Sequence, residues 1–268
     1  MKVAALQMVS GPDVAANVRQ AKDLIAQAAT LGAELAVLPE YFCLIGQRDA
    51  DKLAIAEPQG QGPIQKAMAD AAREHGIWVV AGTIPVQSPV ADRVSNTVFV
   101  YSPQGEQVAR YDKMHLFAFD NGKESYDEAR VLLAGDRPVH FSLPSRDGHV
   151  WKVGLSVCYD LRFPELYRAL AADLILVPSA FTHTTGQAHW EVLLRARAVE
   201  NLAWVLASAQ GGEHPNGRKT WGHSMVVDPW GQVVAQQDFG PGVVLTQCDP
   251  QALLNCRTQL QALRHRKM

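Results

Sequence analysis

The sequence lacks the features of a membrane-spanning protein, a nucleic-acid-binding protein or a secreted protein. Its longest apolar runs are as short as strands and fall far below the roughly 20 residues that a bilayer span needs. Its 25 basic and 27 acidic residues nearly cancel, so no excess of positive charge is available for nucleic acid. No secretory leader can be laid out in the first residues. We therefore expect a cytoplasmic protein with neither a nucleic-acid nor a membrane partner.

Cysteine is scarce, with four residues at positions 43, 158, 248 and 256. No two of them form a C-x-x-C pair, which excludes a zinc knuckle and a thioredoxin-like motif. Four cysteines in 268 residues are also too few for a disulfide scaffold. We expect reduced thiols, each of which is by default a small buried hydrophobic residue.

What the chain does contain is an alternation of strand and helix patterns, with enough apolar residues for a sizeable core. Apolar periodicity predicts helices over 14–30, with Asp13 as the N-cap, and over 63–75, 164–172 and 187–202. Strands are predicted over 3–8, 35–39, 77–84, 97–101, 107–111, 151–157, 174–178 and 203–209, followed by a hairpin around Pro229-Trp230-Gly231. The charged segment 112–138 lacks periodicity, and long loops of this kind are usually functional.

The two halves of the chain resemble each other. Trp78-Val79-Val80-Ala81 matches Trp204-Val205-Leu206-Ala207, and the same offset carries Pro103 onto Pro229. Chance is the alternative for the turns, which favour proline and glycine anyway. A duplication predicts two similar sheets, packed on each other and covered outside by helices. We therefore predict an α/β fold, a four-layer α-β-β-α sandwich of two internally similar halves, as one domain over residues 1–268.

Three reactive side chains follow predicted strands, where α/β proteins place their chemistry. They are Glu40, Lys113 and Cys158. Taken singly, they could be a solvated turn residue, a surface lysine and a core cysteine. Cys158 lies on a tight strand-to-helix connection that we expect to be exposed, and backbone N–H groups there favour a thiolate or an oxyanion. No Cys/His/Asn signature is present, so Glu40 is the candidate base.

Five segments then resemble the nitrilase superfamily of carbon–nitrogen hydrolases. They are EYFC (40–43), YDKMHLF (111–117), CYDLRFPEL (158–166), AHWEVLLRARAVEN (188–201) and GHSMVVDPWG (222–231). Within the superfamily they look most like the deaminated glutathione amidase branch, with the ω-amidase branch next. The resemblance implies an α-β-β-α sandwich and a cysteine-dependent amidase that needs no metal or other cofactor. It also implies a homodimer or a higher homo-oligomer.

The family's Glu-Lys-Cys triad falls on Glu40, Lys113 and Cys158. Members also use a second glutamate in the loop after the lysine, typically in a Glu-Ser pair some seven residues before a glycine. Here Glu124 precedes a serine but lies eleven residues before Gly135, whereas Glu128 lies seven before it. We favour Glu128 as the fourth catalytic residue, with Glu124 as the alternative.

The charges of these residues indicate the catalytic role that each would have. Glu40 takes the thiol proton, and Cys158 attacks the amide carbonyl. Lys113 and the Tyr159 backbone N–H hold the oxyanion, and water then hydrolyses the thioester. Glu128 keeps Lys113 charged and oriented.

The substrate is expected to contact side chains on strand-end loops. Arg162, four residues after the cysteine, could pair with a carboxylate, although a salt bridge to Asp160 or Glu165 is equally open. The other candidate substrate-binding residues are Tyr159, Tyr41, Phe181 and Thr182. For Phe181, packing in the core is the alternative.

The amidase branch implies hydrolysis of deaminated glutathione to 2-oxoglutarate and cysteinylglycine. The alternatives are an ω-amidase acting on 2-oxoglutaramate or 2-oxosuccinamate, and a non-enzymatic assembly module. A metal site is disfavoured because His183, His189, His214 and His223 match no metalloprotease spacing.

Overall fold

Two β-sheets form the centre of the protein in the computed structural model, which describes residues 1–267. The first half of the chain supplies β1 (Lys2–Gln7), β2 (Leu35–Val37), β3 (Trp78–Gln87), β4 (Val94–Tyr101), β5 (Gln107–Asp112), β6 (Ala118–Asp120), β7 (Ser125–Asp127) and β8 (Leu132–Leu133). The second half supplies β9 (His140–Pro144), β10 (Val150–Leu155), β11 (Leu174–Ser179), β12 (Trp204–Ala209), β13 (Gly211–Glu213), β14 (Lys219–Trp221), β15 (Ser224–Val227), β16 (Val233–Gln237) and β17 (Gly242–Gln247).

The helices are α1 (Val14–Thr30), α2 (Asp51–Ala54), α3 (Pro63–His75), α4 (Pro164–Leu170), α5 (His183–Asn201) and α6 (Pro250–Gln259). Short 3₁₀ helices cover Glu128–Arg130, Cys158–Arg162 and Ala262–Arg264. Within the described residues, no helix combines the length and the hydrophobicity needed to cross a bilayer.

The two sheets share one topology. The first has the order β17-β1-β2-β3-β4-β5, with β8 beside β4, and the second has the order β16-β15-β12-β11-β10-β9. In each sheet three parallel strands are followed by an antiparallel hairpin, and an antiparallel edge strand lies beside the first of the three. This correspondence confirms the duplication that the sequence predicted.

The sheets pack face to face between two layers of helices. Along β1, Val3 and Ala5 point into the core shared with the second sheet, whereas Ala4 and Leu6 point to the cluster under α1 and α3. This alternation follows from the two-residue period of a strand. Helices α4 and α5 cover the outer face of the second sheet through Leu166, Leu170, Trp190 and Leu194. The predicted four-layer sandwich is confirmed.

The predicted helix bounds are right where caps are explicit. Helix α1 covers residues 14–30 as predicted, and the Asp13 carboxylate accepts a hydrogen bond from the Ala16 backbone N–H at 3.0 Å. Helix α3 covers the predicted residues 63–75. Helix α5 begins at His183 rather than at 187, because its first turn carries no apolar stripe from which a helix could be recognised.

Candidate active site

The structure brings Glu40, Lys113 and Cys158 together at the carboxyl ends of the strands. Glu40 follows β2, Lys113 directly follows β5, and Cys158 opens the 3₁₀ helix after β10. The Lys113 ammonium donates a hydrogen bond to Glu40 Oε1 at 2.9 Å, and both side chains are buried. Cys158 and Glu40 line one small cavity with Glu128. Three residues far apart in sequence therefore come together: the ion pair of Glu40 and Lys113 and the thiol of Cys158.

The Glu40 carboxylate is fixed from three directions. Oε1 accepts hydrogen bonds from Lys113 and from the Asn96 side-chain amide at 2.8 Å. Oε2 accepts one from the Ala180 backbone N–H at 3.0 Å. Ala180 follows β11, the strand that corresponds to β2 in the other half. The base is therefore held by both sheets, and its orientation depends on their packing.

A glycine allows the Glu40 loop to approach the neighbouring strand. A Cβ on Gly82 would lie 2.1 Å from the Leu38 carbonyl oxygen and 2.2 Å from that of Pro39. Beside it, the Thr83 hydroxyl accepts a hydrogen bond from the Tyr41 backbone N–H at 2.8 Å. Tyr41 has a positive φ of 57°, which is uncommon outside glycine. This close contact sets the direction in which Glu40 leaves β2.

Lys113 lies between two carboxylates. Its Nζ donates to Glu128 Oε1 at 3.0 Å and Oε2 at 2.8 Å, in addition to Glu40. Burial would lower the pKa of Lys113, but the charges of Glu128 and Glu40 outweigh it and raise that pKa above its ordinary value. Burial would likewise raise the pKa of Glu128, yet Lys113 and the Phe117 N–H lower it. Lys113 and Glu128 are therefore both charged near neutral pH.

Glu128, rather than Glu124, contacts the lysine. Glu124 instead accepts a hydrogen bond from the Thr184 hydroxyl at 2.8 Å, at the edge of the site. The seven-residue spacing to Gly135 has a physical reason. The Gly135 backbone N–H donates to the Lys113 carbonyl at 2.8 Å, and a Cβ there would lie 2.2 Å from the Asp112 carbonyl oxygen. Gly135 thus ties the end of the loop to the lysine that Glu128 contacts.

Cys158 is buried, so the expectation of an exposed turn was wrong. Only 8% of its surface is accessible, because residues of the neighbouring loops cover it. Its φ of 49° is strained for a residue with a side chain, and strain of this kind clusters at functional sites. Burial raises the pKa of its thiol, and the Glu40 charge raises it further against the opposing effect of Lys113. The resting group is a thiol that needs a base, not a preformed thiolate.

Two residues that the sequence analysis missed hold the turn of Cys158. The buried Asp160 carboxylate accepts hydrogen bonds from the Val157 N–H at 2.8 Å and the Tyr111 hydroxyl at 2.7 Å. It also accepts from the His115 N–H at 3.0 Å. The Arg197 guanidinium donates to the Leu161 carbonyl through Nε and Nη2. The Asp160 carboxylate accepts from the Val157 N–H, but valine has no side-chain oxygen to complete a capping box, so no local sequence signal identified Asp160.

Replacing Asp160 with alanine is expected to destabilise the fold strongly. It would leave buried donors of Val157, Tyr111 and His115 without their acceptor, which costs about 3–5 kcal/mol for a buried charged network. Chemical denaturation should report this loss in the free energy of unfolding. The control is Asp136→Ala, at an exposed side chain without a hydrogen bond or ion pair among the described residues, and it should stay within about 0.5 kcal/mol of the parent. A loss of similar size in both variants would contradict the assignment.

The predicted substrate-binding residues occupy three kinds of position. Tyr159, Phe181 and Thr182 line the cavity at Cys158. Tyr41 reaches the site differently, because its hydroxyl donates to Glu128 Oε1 at 2.8 Å. Arg162 does not line this cavity: its guanidinium lies 5.8 Å from the Tyr159 ring centre and 5.5 Å from that of Phe181, with His189 Nδ1 3.3 Å from its nitrogens.

Arg162 therefore lies among the rings that form the wall, and no salt bridge to Asp160 or Glu165 appears among the described contacts. The alternative of a structural ion pair is therefore wrong, and a direct contact of Arg162 with a substrate carboxylate stays a prediction.

The cavity at Cys158 is very small and adjoins a much larger cleft. The cavity encloses about 10 Å³, which is room for about one water molecule. The cleft measures about 740 Å³. Arg218 lines both spaces. The sequence analysis did not single out this arginine, because it lies in a loop without a recognisable catalytic pattern.

No metal centre is evident in residues 1–267, where no three His, Cys, Asp or Glu side chains are grouped to hold an ion. Of the four histidines weighed for a metal, His183 and His223 both pack on the Trp221 ring, with ring centres 5.0 and 4.2 Å away. His214 is buried, with Nδ1 2.8 Å from the Ser10 carbonyl oxygen and Nε2 2.8 Å from the Thr220 hydroxyl. Burial lowers the pKa of His214, which favours the neutral ring.

Comparison with known proteins matches residues 2–258 to the model of the carbon-nitrogen hydrolase family. The deaminated glutathione amidase of Synechocystis sp. is 40% identical over 272 residues, which cover 98% of this chain and 97% of that protein. The deaminated glutathione amidase of Homo sapiens is also 40% identical, over 275 residues that cover 99% of this chain and 82% of the human protein.

Solved structures show the same architecture. Nit3 of Saccharomyces cerevisiae, described as a member of branch 10 of the nitrilase superfamily, superposes with a TM-score of 0.85 at 29% identity, covering 97% of this chain and 94% of its own. An amidase from Nesterenkonia sp. AN1 gives a TM-score of 0.78 at 28% identity and covers 97% of this chain and 98% of its own. Its structure shows acrylamide added to the active-site cysteine.

Proposed function

Because the chain belongs to the carbon-nitrogen hydrolase family and is a cysteine-dependent amidase, we propose that its substrate is deaminated glutathione. The products are then 2-oxoglutarate and cysteinylglycine. The names of relatives that match nearly the whole chain at 40% identity support this choice. The observation that carries the chemistry is the Lys113 ammonium, which is bonded between the carboxylates of Glu40 and Glu128 beside a buried thiol.

In the proposed acylation step, Glu40 accepts the Cys158 proton as the sulfur attacks the amide carbonyl carbon. A base is needed because the raised pKa of Cys158 leaves the thiol protonated at rest. The Lys113 ammonium and the Tyr159 backbone N–H stabilise the oxyanion, a contribution of about 3–4 kcal/mol for a donor of this kind. Glu40 then passes its proton to the leaving nitrogen, the carbon–nitrogen bond breaks, and a thioester remains.

In the proposed second step, a water molecule loses a proton to Glu40 and attacks the thioester carbonyl. The carbon–sulfur bond breaks, the acid is released, and the proton returns to the sulfur. Glu128 acts through Lys113: its two hydrogen bonds keep the ammonium charged and aimed while Glu40 changes its protonation state.

We expect kcat/KM to be about a hundredfold higher for deaminated glutathione than for 2-oxoglutaramate. The two share the oxoglutaryl half, but only the first carries the dipeptide, whose remote contacts can lower the barrier. Two such contacts of about 1.4 kcal/mol each give this factor. Steady-state kinetics with both compounds on one enzyme preparation measures it. Equal values, or a preference for 2-oxoglutaramate, would favour an ω-amidase.

We further propose that the chain acts as one domain and assembles into a homodimer or a higher homo-oligomer in the cytoplasm. The shared core between the sheets supports a single domain. Apolar surface for a second copy is offered by two exposed valines of α5, Val192 and Val199, and by the exposed Trp230 in the turn before β16. Four unpaired cysteines agree with a reducing compartment. Light scattering in solution tests the oligomeric state.

A further inference from the structure

We propose that Arg218 recognises the carboxylate of a peptide leaving group, and that the 740 Å³ cleft beside it is the site where this leaving group lies. This inference rests on the amidase activity and deepens the proposed function, because it assigns the end of the substrate that is released as amine. It replaces Arg162, which the sequence suggested for carboxylate binding, with a residue from another loop.

The first support is the volume available on each side. The reacting carbonyl must lie beside Cys158, but the cavity there encloses only about 10 Å³. The rest of a substrate must therefore extend into the adjoining cleft. At about 740 Å³ the cleft has room for a dipeptide leaving group. Arg218 lines both spaces and marks the boundary that the substrate has to cross.

The second support is the charge of the cleft. Five basic side chains line it, against only two acidic ones, Asp49 and Glu124. Three of the five cations already have acidic partners, Lys52 with Asp49, Arg48 with Asp51 and Lys219 with Glu213. Among the described residues, Lys123 and Arg218 are therefore the cleft cations without an ion pair. The basic residues are Arg48, Lys52, Lys123, Arg218 and Lys219. This excess of positive charge favours an anionic ligand and disfavours a cationic one.

The third support is the unsatisfied hydrogen-bonding capacity of Arg218. Its Nη2 donates to the Ala180 carbonyl at 3.2 Å, and its guanidinium carbon lies 5.3 Å from the centre of the Tyr126 ring. Its Nε is buried without a protein acceptor. An arginine fork with an unused buried donor suits a carboxylate, which can accept from two guanidinium nitrogens at once.

The position of Arg218 also connects recognition with catalysis. Ala180, whose carbonyl accepts from Arg218, donates its own N–H to Glu40 Oε2 at 3.0 Å. Ala180 therefore links the two groups: its carbonyl holds Arg218, which would bind the carboxylate, and its N–H orients the base Glu40. The substrate charge is recognised at a fixed distance from the reacting carbonyl, as correct positioning requires.

Alkylation of Cys158 tests the charge recognition without any substrate. The rate constants with iodoacetate, which is anionic, and iodoacetamide, which is neutral, are measured for the parent, Arg218→Gln and Arg218→Lys. The control is Arg73→Gln, at an exposed side chain on α3. We expect Arg218→Gln to lower the ratio of the iodoacetate rate constant to the iodoacetamide rate constant about tenfold. Arg218→Lys should retain part of the ratio because it keeps the charge, and Arg73→Gln should not change it. An unchanged ratio in Arg218→Gln would overturn the proposal.

Kinetics with a matched pair of substrates then tests which end is recognised. The pair is deaminated glutathione and its C-terminal carboxamide, which differ only in the charge of the leaving group. We expect Arg218→Gln to lower kcat/KM about a hundredfold for the acid and less than about threefold for the carboxamide. Equal losses would assign Arg218 a general structural role and refute the inference. If the parent enzyme hydrolyses neither compound, the proposed substrate fails, and the alkylation ratio still decides the role of Arg218.

Discussion

Replacing Cys158 with alanine is expected to abolish amide hydrolysis while the protein still folds. No other thiol can take over, because the charged cluster of Glu40 and Lys113 acts on this cysteine. The substitution removes one sulfur atom at the edge of a cavity, which should cost no more than about 1.5 kcal/mol of stability. Turnover and thermal melting of the same preparation measure both effects.

The remaining cysteines provide matched controls. Cys43, Cys248 and Cys256 are also buried, and burial raises the pKa of each, to about 12 for Cys43. A raised thiol pKa therefore does not by itself distinguish the nucleophile. Alanine variants at these three positions should keep their turnover even where their melting temperature falls. Appreciable activity in Cys158→Ala would refute the nucleophile assignment, as would a dead Cys248→Ala variant with unchanged melting.

The sequence predicted those parts of the fold whose signals are local. Helices α1 and α3 have a cap or a proline at one end and a regular apolar stripe, and both were placed correctly. The duplication was visible because corresponding strands face similar surroundings and carry similar residues. Strand β17 was missed because its place beside β1 depends on pairing between residues some 240 positions apart, which no local pattern specifies.

In the candidate site, too, the residues predicted from sequence are those with a local signal. Glu40, Lys113 and Cys158 follow strands, and the structure brings them together at the ends of these strands. Arg218 and Asp160 could not be ranked from sequence, because their importance comes from partners on other loops. Asp160 contacts His115, 45 positions away, and Arg218 contacts Ala180, 38 positions away. The burial of Cys158 was also mispredicted, since it results from tertiary packing over an otherwise ordinary turn.

Replacing Lys113 with methionine is expected to lower kcat at least a thousandfold and also to destabilise the protein. The activity falls because the oxyanion loses its cationic donor and Glu40 loses a hydrogen-bond partner. The stability falls by about 3–5 kcal/mol, because two buried carboxylates lose the ammonium between them. Turnover and chemical denaturation measure the two losses separately.

A double variant separates the structural from the catalytic part of this loss. In Lys113→Met/Glu128→Gln one buried negative charge is removed, so at pH 8 part of the lost stability should return. The activity should not return, because the oxyanion donor is still absent. A double variant with no more stability than Lys113→Met would contradict the charge argument. A Lys113→Met enzyme within tenfold of the parent would contradict the oxyanion role.

The pH dependence of stability should change sign between the two proteins. In the parent, the pKa of Glu128 lies below its ordinary value, so its contribution is present above the unfolded pKa of about 4.3 and is lost as pH falls through the folded value. Without Lys113, burial dominates and raises the pKa of Glu128. The folded state of Lys113→Met then binds a proton more readily than the unfolded state and gains stability as pH falls. The gap in melting temperature between parent and Lys113→Met should therefore narrow from pH 8 to pH 5, and a constant or widening gap would show that Lys113 does not neutralise Glu128.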